Sequence, residues 1–177
     1  MENIGYQTIA LVLESWDGVR RAYKGKHYEK EFGKVLIDKF IELQPRSKSF
    51  YKGEEMMNKH ADGIVHLLDS ILQMLGPDVE FIQEILSQVG KRHAKMGVKA
   101  AFFPFLGQSL VWALKETVGD SLTDEHKEAW NEVYDSISSE IVKEILNAWN
   151  RMYGINDTFV YYVNIRNESL SNLVWCI

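Results

Sequence analysis

Apolar side chains recur every third or fourth residue along most of this 177-residue chain, and only 3 prolines and 12 glycines interrupt them. A repeat near 3.6 residues puts apolar groups on one face of a helix and cannot do so on a strand, so the pattern predicts an all-α protein. Ile9, Val12, Leu13, Trp16 and Val19 form a first stripe, weakened slightly by Gly18. Phe32, Leu36, Lys39, Phe40 and Leu43 form a second, which ends before Pro45 because the residue preceding a proline is pushed out of the helical region. After a short stretch around Phe50 and Tyr51, a third helix carries Met57, His60, Ala61, Ile64, Leu68, Ile71 and Leu75, closed by Gly76-Pro77. A fourth begins near Asp78, aligns Ile82, Ile85, Leu86, Val89 and His93, and breaks at Gly97.

Residues 98–118 are aromatic-rich, with Phe102, Phe103, Phe105 and Trp112, and tolerate Pro104 if it lies in the first turns of a helix ending at Gly119. Thr123 offers an N-cap, with Asp124 and Glu125 suited to the positive end of the helix dipole. The stripe Trp130, Tyr134, Ile137, Ile141, Ile145 and Trp149 then runs to about Met152. Beyond Gly154 a β-branched and aromatic run, Thr158 to Val163, gives way to the polar Asn164 to Asn172, which reads as a tail. The length suits one domain plus that tail.

Charge narrows the partners. With 20 Lys and Arg against 25 Asp and Glu the net charge is -5, and no basic run is long enough to track a phosphate backbone, so nucleic acid is not expected. Nowhere do about 18 apolar residues run together, so no membrane-spanning helix is expected, and the N-terminus has neither the pattern of a secretion signal nor the Gly of a myristoylation site. The single cysteine, Cys176, can form no intrachain disulfide or cysteine-based metal site and lies too late for prenylation. These features fit a cytoplasmic home, in which the sequons at Asn156 and Asn167 are chance.

Five histidines, at 27, 60, 66, 93 and 126, are the residues with most chemical scope. His27, in a basic run, and His126, in an acidic first turn, are expected in solvent. His66 is six residues from His60, about 240° around the helix, and points elsewhere. His60 and His93 sit on apolar stripes of different helices. Two readings stand: core histidines that each satisfy a backbone carbonyl, or axial ligands approaching opposite sides of a planar metal cofactor such as haem. No Gly-rich phosphate loop, His-Glu-x-x-His or nucleophile elbow competes, so no catalytic residue is assigned.

The residues also carry a resemblance. Gly97-Val98-Lys99, Phe103, Gly107, Ser109-Leu110, Leu114, Gly119, Thr123, Ala129-Trp130 and Tyr134 resemble the last third of the globin family, most of all its animal neuroglobin branch. Ser15-Trp16 is similar to the family's first-helix motif, Val35-Leu36 through Pro45 to its second helix and the opening of the third, and Lys91-Arg92-His93 before Gly97-Val98 to the segment holding the proximal histidine. His60, with Ile64 and Leu68-Asp69 after it, falls where the family keeps its distal histidine.

The resemblance covers roughly residues 8–152 and implies a globin domain over 1–152 with a C-terminal extension over 153–177. It implies an eight-helix sandwich around a b-type haem, with His93 as proximal iron ligand and His60 as distal group. Ile64, Val98, Phe103 and Tyr134 match pocket-lining positions, and Ile37 the position facing the distal cavity. Tyr51 stands where globins wedge a phenylalanine against the haem, and a one-residue slip would put Phe50 there instead; the Tyr51 hydroxyl would need a partner. Gly63 stands where neuroglobins have a basic residue suited to a haem propionate, with Lys59 a substitute, and the cysteine pair of some neuroglobins is absent, which excludes a thiol–disulfide switch.

The function implied is reversible binding of oxygen, carbon monoxide or nitric oxide, with His60 either hydrogen-bonded to the gas or ligating iron at rest. A redox role is the alternative: electron transfer, nitrite reduction or nitric oxide dioxygenation, served by an external reductase this chain is too short to contain. A globin-fold interaction module without haem is a third reading, opposed by the joint presence of His60 and His93. Both monomer and dimer are compatible with the sequence.

Overall fold

A computed structural model of the protein describes residues 4–24, 27–75 and 79–153. Six α-helices follow one another: α1 (Tyr6–Ala22), α2 (Tyr28–Leu43), α3 (Glu54–Met74), α4 (Val79–Lys95), α5 (Phe103–Val118) and α6 (Asp124–Tyr153). Three 3-10 segments, Pro45–Phe50, Ala100–Phe102 and Gly119–Ser121, join some of them, and no strand occurs among the described residues. The all-α expectation therefore holds, although not every helix of the expected sandwich is an α-helix. Pro45–Phe50 is only six residues long, and the hydroxyls of Ser47 and Ser49 bond back to the carbonyls of Gln44 and Arg46 at 2.7 and 2.8 Å, which suits the tighter turn.

The fifth helix starts later than its aromatic run suggests, at Phe103 rather than residue 98. Gly97, at φ +75°, ends the preceding helix in the left-handed region, and Val98 N–H returns to the His93 carbonyl at 3.1 Å, which turns Val98 and Lys99 out of the helix. Pro104 then falls in the first turn of α5, where its missing N–H costs nothing. At α6, Thr123 caps as expected: its Oγ1 accepts the His126 N–H at 3.4 Å. His126 itself is not in solvent. It is 8% exposed because the same hydroxyl meets its Nδ1 at 2.7 Å and folds the ring back over the helix start.

The stripes become one large core, with corrections in α1. Val12, Ser15, Trp16 and Val19 are buried while Leu13 is 37% exposed. The inward face is centred on Val12 and Trp16, and Ser15 can share it because its hydroxyl is satisfied. It donates to the Val12 carbonyl at 2.9 Å and accepts the Trp130 indole N–H at 2.8 Å, joining α1 to α6. Trp16 stacks near Phe32 and Trp130, with ring centres 5.3 and 5.6 Å away. Such aromatic pairs add about 0.5–1.5 kcal/mol each beyond their buried area. Trp149, expected inside, is 39% exposed, as is Trp112, and the Lys39 ammonium lies 4.9 Å from the Trp112 ring centre. That contact explains how a lysine shares the second stripe: its charge sits over the face of an aromatic ring.

Trp16 also anchors α3. Its Nε1–H donates to Asp69 Oδ1 at 2.7 Å, and the Arg20 guanidinium pairs with the same oxygen. Burial alone would raise the Asp69 carboxyl, but these donors outweigh it and hold it below the usual carboxylate range. α4 lies along α6, with Ser87 Oγ donating to Glu144 at 2.9 Å and Gln83 to Glu140 at 3.4 Å. α2 crosses α3 and α5, whereas α3 and α4 meet only slightly. The fold thus leaves the two histidine-bearing helices apart along most of their length. No single helix among the described residues is long and apolar enough to cross a membrane. The extension expected from residue 153 onward lies, past the end of α6, outside the described residues.

Candidate functional site

Two glycines set how closely the histidine helices approach their supports. At Gly90, three residues before His93, an added Cβ would lie 2.6 Å from the Ile141 carbonyl oxygen and 2.7 Å from Glu144 Cβ, so only glycine lets α4 lie flush on α6. At Gly33, a Cβ would meet the backbone of Ala61, next to His60, at 3.0 Å, so α2 and α3 also close on a missing side chain.

Held this way, His60 and His93 face each other. Their ring centres are 6.0 Å apart and their planes 52° inclined. His93 Nδ1 lies 2.9 Å from the Val89 carbonyl, one turn back in its own helix. A carbonyl can only accept, so Nδ1 carries the proton and Nε2 the lone pair. His60 Nδ1 lies 2.9 Å from the Tyr51 hydroxyl, a group that donates or accepts. Burial, with the neighbouring His93, pushes His60 down to about 4, and burial lowers His93 as well despite the bond to Val89. Both rings are therefore neutral at pH 7, the form in which imidazole binds a metal.

The expected pocket residues divide into three groups. Tyr51, His60, His93 and Phe103 form a chain of rings: Tyr51 to His60 is 5.5 Å and His93 to Phe103 6.1 Å between centres. Ile64 and Val98 are partly buried and pack against both core clusters, the large one and a smaller one of Ile37, Phe40, Ala61 and Phe102. Ile37 is fully buried in the smaller cluster. Phe50 packs on Phe102, with ring centres 6.0 Å apart, so Tyr51 rather than Phe50 stands against His60.

Tyr134 reaches the site only indirectly, its hydroxyl donating to the Phe103 carbonyl at 2.6 Å. Its ring lies against Gly107, and burial raises the phenol far above its ordinary range. Lys59 pairs with Glu55 at 2.8 Å on the surface, and Gly63 is exposed. Phe102 and the Val89 carbonyl were not picked out from the sequence. Phe102 is one of four aromatics in a short run, and a backbone acceptor has no residue-type signature.

The donor set fits a haem. Two neutral imidazoles 6.0 Å apart have the spacing of rings that each hold one nitrogen about 2 Å from a shared metal. Phe103, buried, packs against His93, and Ile64, Val98 and Phe50 are apolar side chains the protein leaves partly covered. A cavity of about 30 Å³ at Lys30, Lys34, Asn58, Ala61 and Asp62 has room for a water and lies away from these rings.

Comparison with known proteins bears on the family and the fold. The chain is 27% identical over 136 residues to a flavohemoprotein of Oceanobacillus iheyensis, a match covering 73% of this chain and 32% of that protein. It therefore spans about a third of that relative's length. It is 22% identical over 155 residues to the neuroglobin of Danio rerio, covering 81% of this chain and 93% of that one. Its fold superposes on a hexa-coordinate hemoglobin of Drosophila melanogaster with a TM-score of 0.68 at 18% identity, covering 78% of this chain and 94% of the other. The globin family model matches residues 36–141, from the middle of α2 to the middle of α6 and across both facing histidines, and the chain belongs to the globin family.

Proposed function

We propose that this globin holds a b-type haem, iron protoporphyrin IX, between His93 and His60 and reversibly binds oxygen, carbon monoxide and nitric oxide there, with His60 ligating iron when no gas is present. The observation that carries this reading is the pair of neutral imidazoles facing each other with centres 6.0 Å apart. When bound, the haem supplies an iron that coordinates a diatomic gas. His93 contributes the Nε2 lone pair, its tautomer fixed by Val89, and the hydrogen-bonded Nδ1–H makes it a stronger donor. His60 would compete with gas for the iron, so apparent affinity would be the intrinsic affinity multiplied by the fraction of molecules in which it has swung away. Phe103, Ile64, Val98 and Phe50 would offer a bound macrocycle apolar contact and exclude water. A cytoplasmic location and a monomeric or dimeric state belong to the same proposal.

Visible spectra of the hemin-reconstituted protein, oxidised, dithionite-reduced and reduced under carbon monoxide, test it beside His60→Leu. Sharp split bands in the reduced wild type, lost in the variant, are expected. A single broad band in the reduced wild type would refute the resting bis-histidyl site, and absence of haem uptake would refute the whole reading.

One observation favours a second reading. The similarity to a flavohemoprotein, confined to about a third of that protein, suits a haem unit that receives electrons from a separate reductase and reduces nitrite or dioxygenates nitric oxide. Multiple turnovers with an added reductase, at rates far above those of autoxidation, would favour it over reversible gas binding.

A further inference from the structure

We propose that the Tyr51 hydroxyl is a positioning group for His60: by bonding Nδ1 it sets which ring nitrogen carries the proton, Nδ1 when Nε2 ligates the haem iron and Nε2 when His60 instead faces a gas. The proposal rests on the haem reading above. A neutral imidazole has one N–H and one lone pair, so the state of Nδ1 dictates that of Nε2. An iron-ligating Nε2 requires the proton on Nδ1, where it donates to the Tyr51 oxygen. A His60 that donates to a gas through Nε2–H requires a bare Nδ1, which then accepts the Tyr51 O–H.

The structure places the hydroxyl 2.9 Å from Nδ1, and by rotating it can either accept from that nitrogen or donate to it. The change of tautomer is proton exchange with water, one proton leaving Nδ1 and one arriving at Nε2, and the ring stays neutral.

His93 has no such freedom, because its partner is a carbonyl. The asymmetry suits the two positions, one ligand that stays and one that must leave. Tyr51 is built for the task. It follows the 3-10 segment with its N–H bonded to the Lys48 carbonyl at 3.1 Å, and its backbone is extended at φ -101° and ψ 122°. Its ring lies 5.5 Å from His60, and among the described residues His60 is the hydrogen-bond partner of its hydroxyl. A donor N–H that is itself hydrogen-bonded makes imidazole a stronger metal ligand, and loss of such an outer partner costs about 10-fold to 100-fold in affinity. The hydroxyl bonds Nδ1 in both states, but only in the ligated state does that bond strengthen a metal–nitrogen bond, so Tyr51 favours the His60-ligated state.

The test uses the haem-loaded protein as wild type, Tyr51→Phe, His60→Leu and the double variant. At saturating carbon monoxide, binding to the reduced wild type is limited by release of His60, and Tyr51→Phe is expected to speed it about tenfold. In the His60→Leu background the same substitution is expected to do nothing, because Tyr51 acts through His60. Without any substitution, the ¹⁵N resonances of His60 in the diamagnetic reduced wild type are expected to report a protonated Nδ1 at rest and a protonated Nε2 under carbon monoxide.

An unchanged rate in Tyr51→Phe, an equal change in both backgrounds, or one tautomer in both states would overturn the proposal while leaving the haem reading intact. Failure of the wild type to take up haem would overturn both.

Discussion

His93 and His60 face the same space from helices that are held in different ways. On the His93 side everything is local or rigid: the ring bonds a carbonyl one turn back, and α4 lies on α6 with a glycine at the closest approach. On the His60 side the partner is a side chain nine residues earlier, beyond the helix start, and α3 is tied to α1 through the charged Asp69. A helix bond is present whenever the helix is, whereas a hydroxyl contact can rotate and a charged anchor can titrate. The first arrangement suits a permanent ligand and the second an exchangeable one.

The largest test of that contrast is to remove each ring. His93→Ala is expected to weaken haem retention well beyond the about 100-fold that loss of an outer partner costs, while His60→Ala keeps haem and exposes an open iron site. Transfer of haem to an apo-globin acceptor measures both, and equal loss in the two variants would erase the asymmetry.

Next in size are the helix seats. Gly90→Ala forces α4 off α6 and should cost about 1–3 kcal/mol, since its Cβ would overlap backbone. Gly33→Ala has a softer contact at 3.0 Å and gains up to about 1 kcal/mol of helix propensity, so its net effect should be much smaller. Urea unfolding of both variants checks the order.

A smaller effect is expected from Tyr134→Phe. It leaves the buried Phe103 carbonyl without its 2.6 Å donor, at about 1 kcal/mol, and Phe103 packs on His93. The change should appear in the unfolding midpoint and in the iron–His93 stretching band, with little change on the His60 side.

The smallest prediction concerns acid. The Asp69 carboxyl is depressed in the folded protein, so it stabilises the fold above its unfolded pKa, and that contribution is lost as pH falls through the folded value. Wild type should lose thermal stability through and below the ordinary carboxylate range, with α3 the first helix to loosen. Asp69→Asn should flatten that pH dependence, and hydrogen exchange would show whether α3 or α4 opens first.

How much of this was legible follows the range of the interactions. The α3 and α4 stripes contain His60 and His93, and their period alone offered two readings; residues such as Lys91-Arg92-His93 and Gly97-Val98 carried the family. Tyr51 was read at the position where globins wedge a phenylalanine, but its partner was not. Nine residues across a 3-10 segment and a turn at Gly53, φ +97°, have no periodicity to count along. Leu13 and His126 were misjudged because spacing does not show what a polar side chain bonds. Ser15 displaces Leu13 from the inner face because Trp130, 115 residues away, supplies its donor. His126 is buried because Thr123 bonds its ring as well as its backbone.

The sequence by itself determined the helices, their inward faces, most of their ends and the two histidines, because each depends on spacing within one helix or on a short run of residue types. Only the tertiary structure decided that the two rings face each other with centres 6.0 Å apart, that one bonds a carbonyl and the other a hydroxyl, and that Asp69 anchors α3 to α1. Those are contacts between elements whose separation along the chain says nothing about their distance in space, and hydrogen-bond direction and pKa are properties of such contacts.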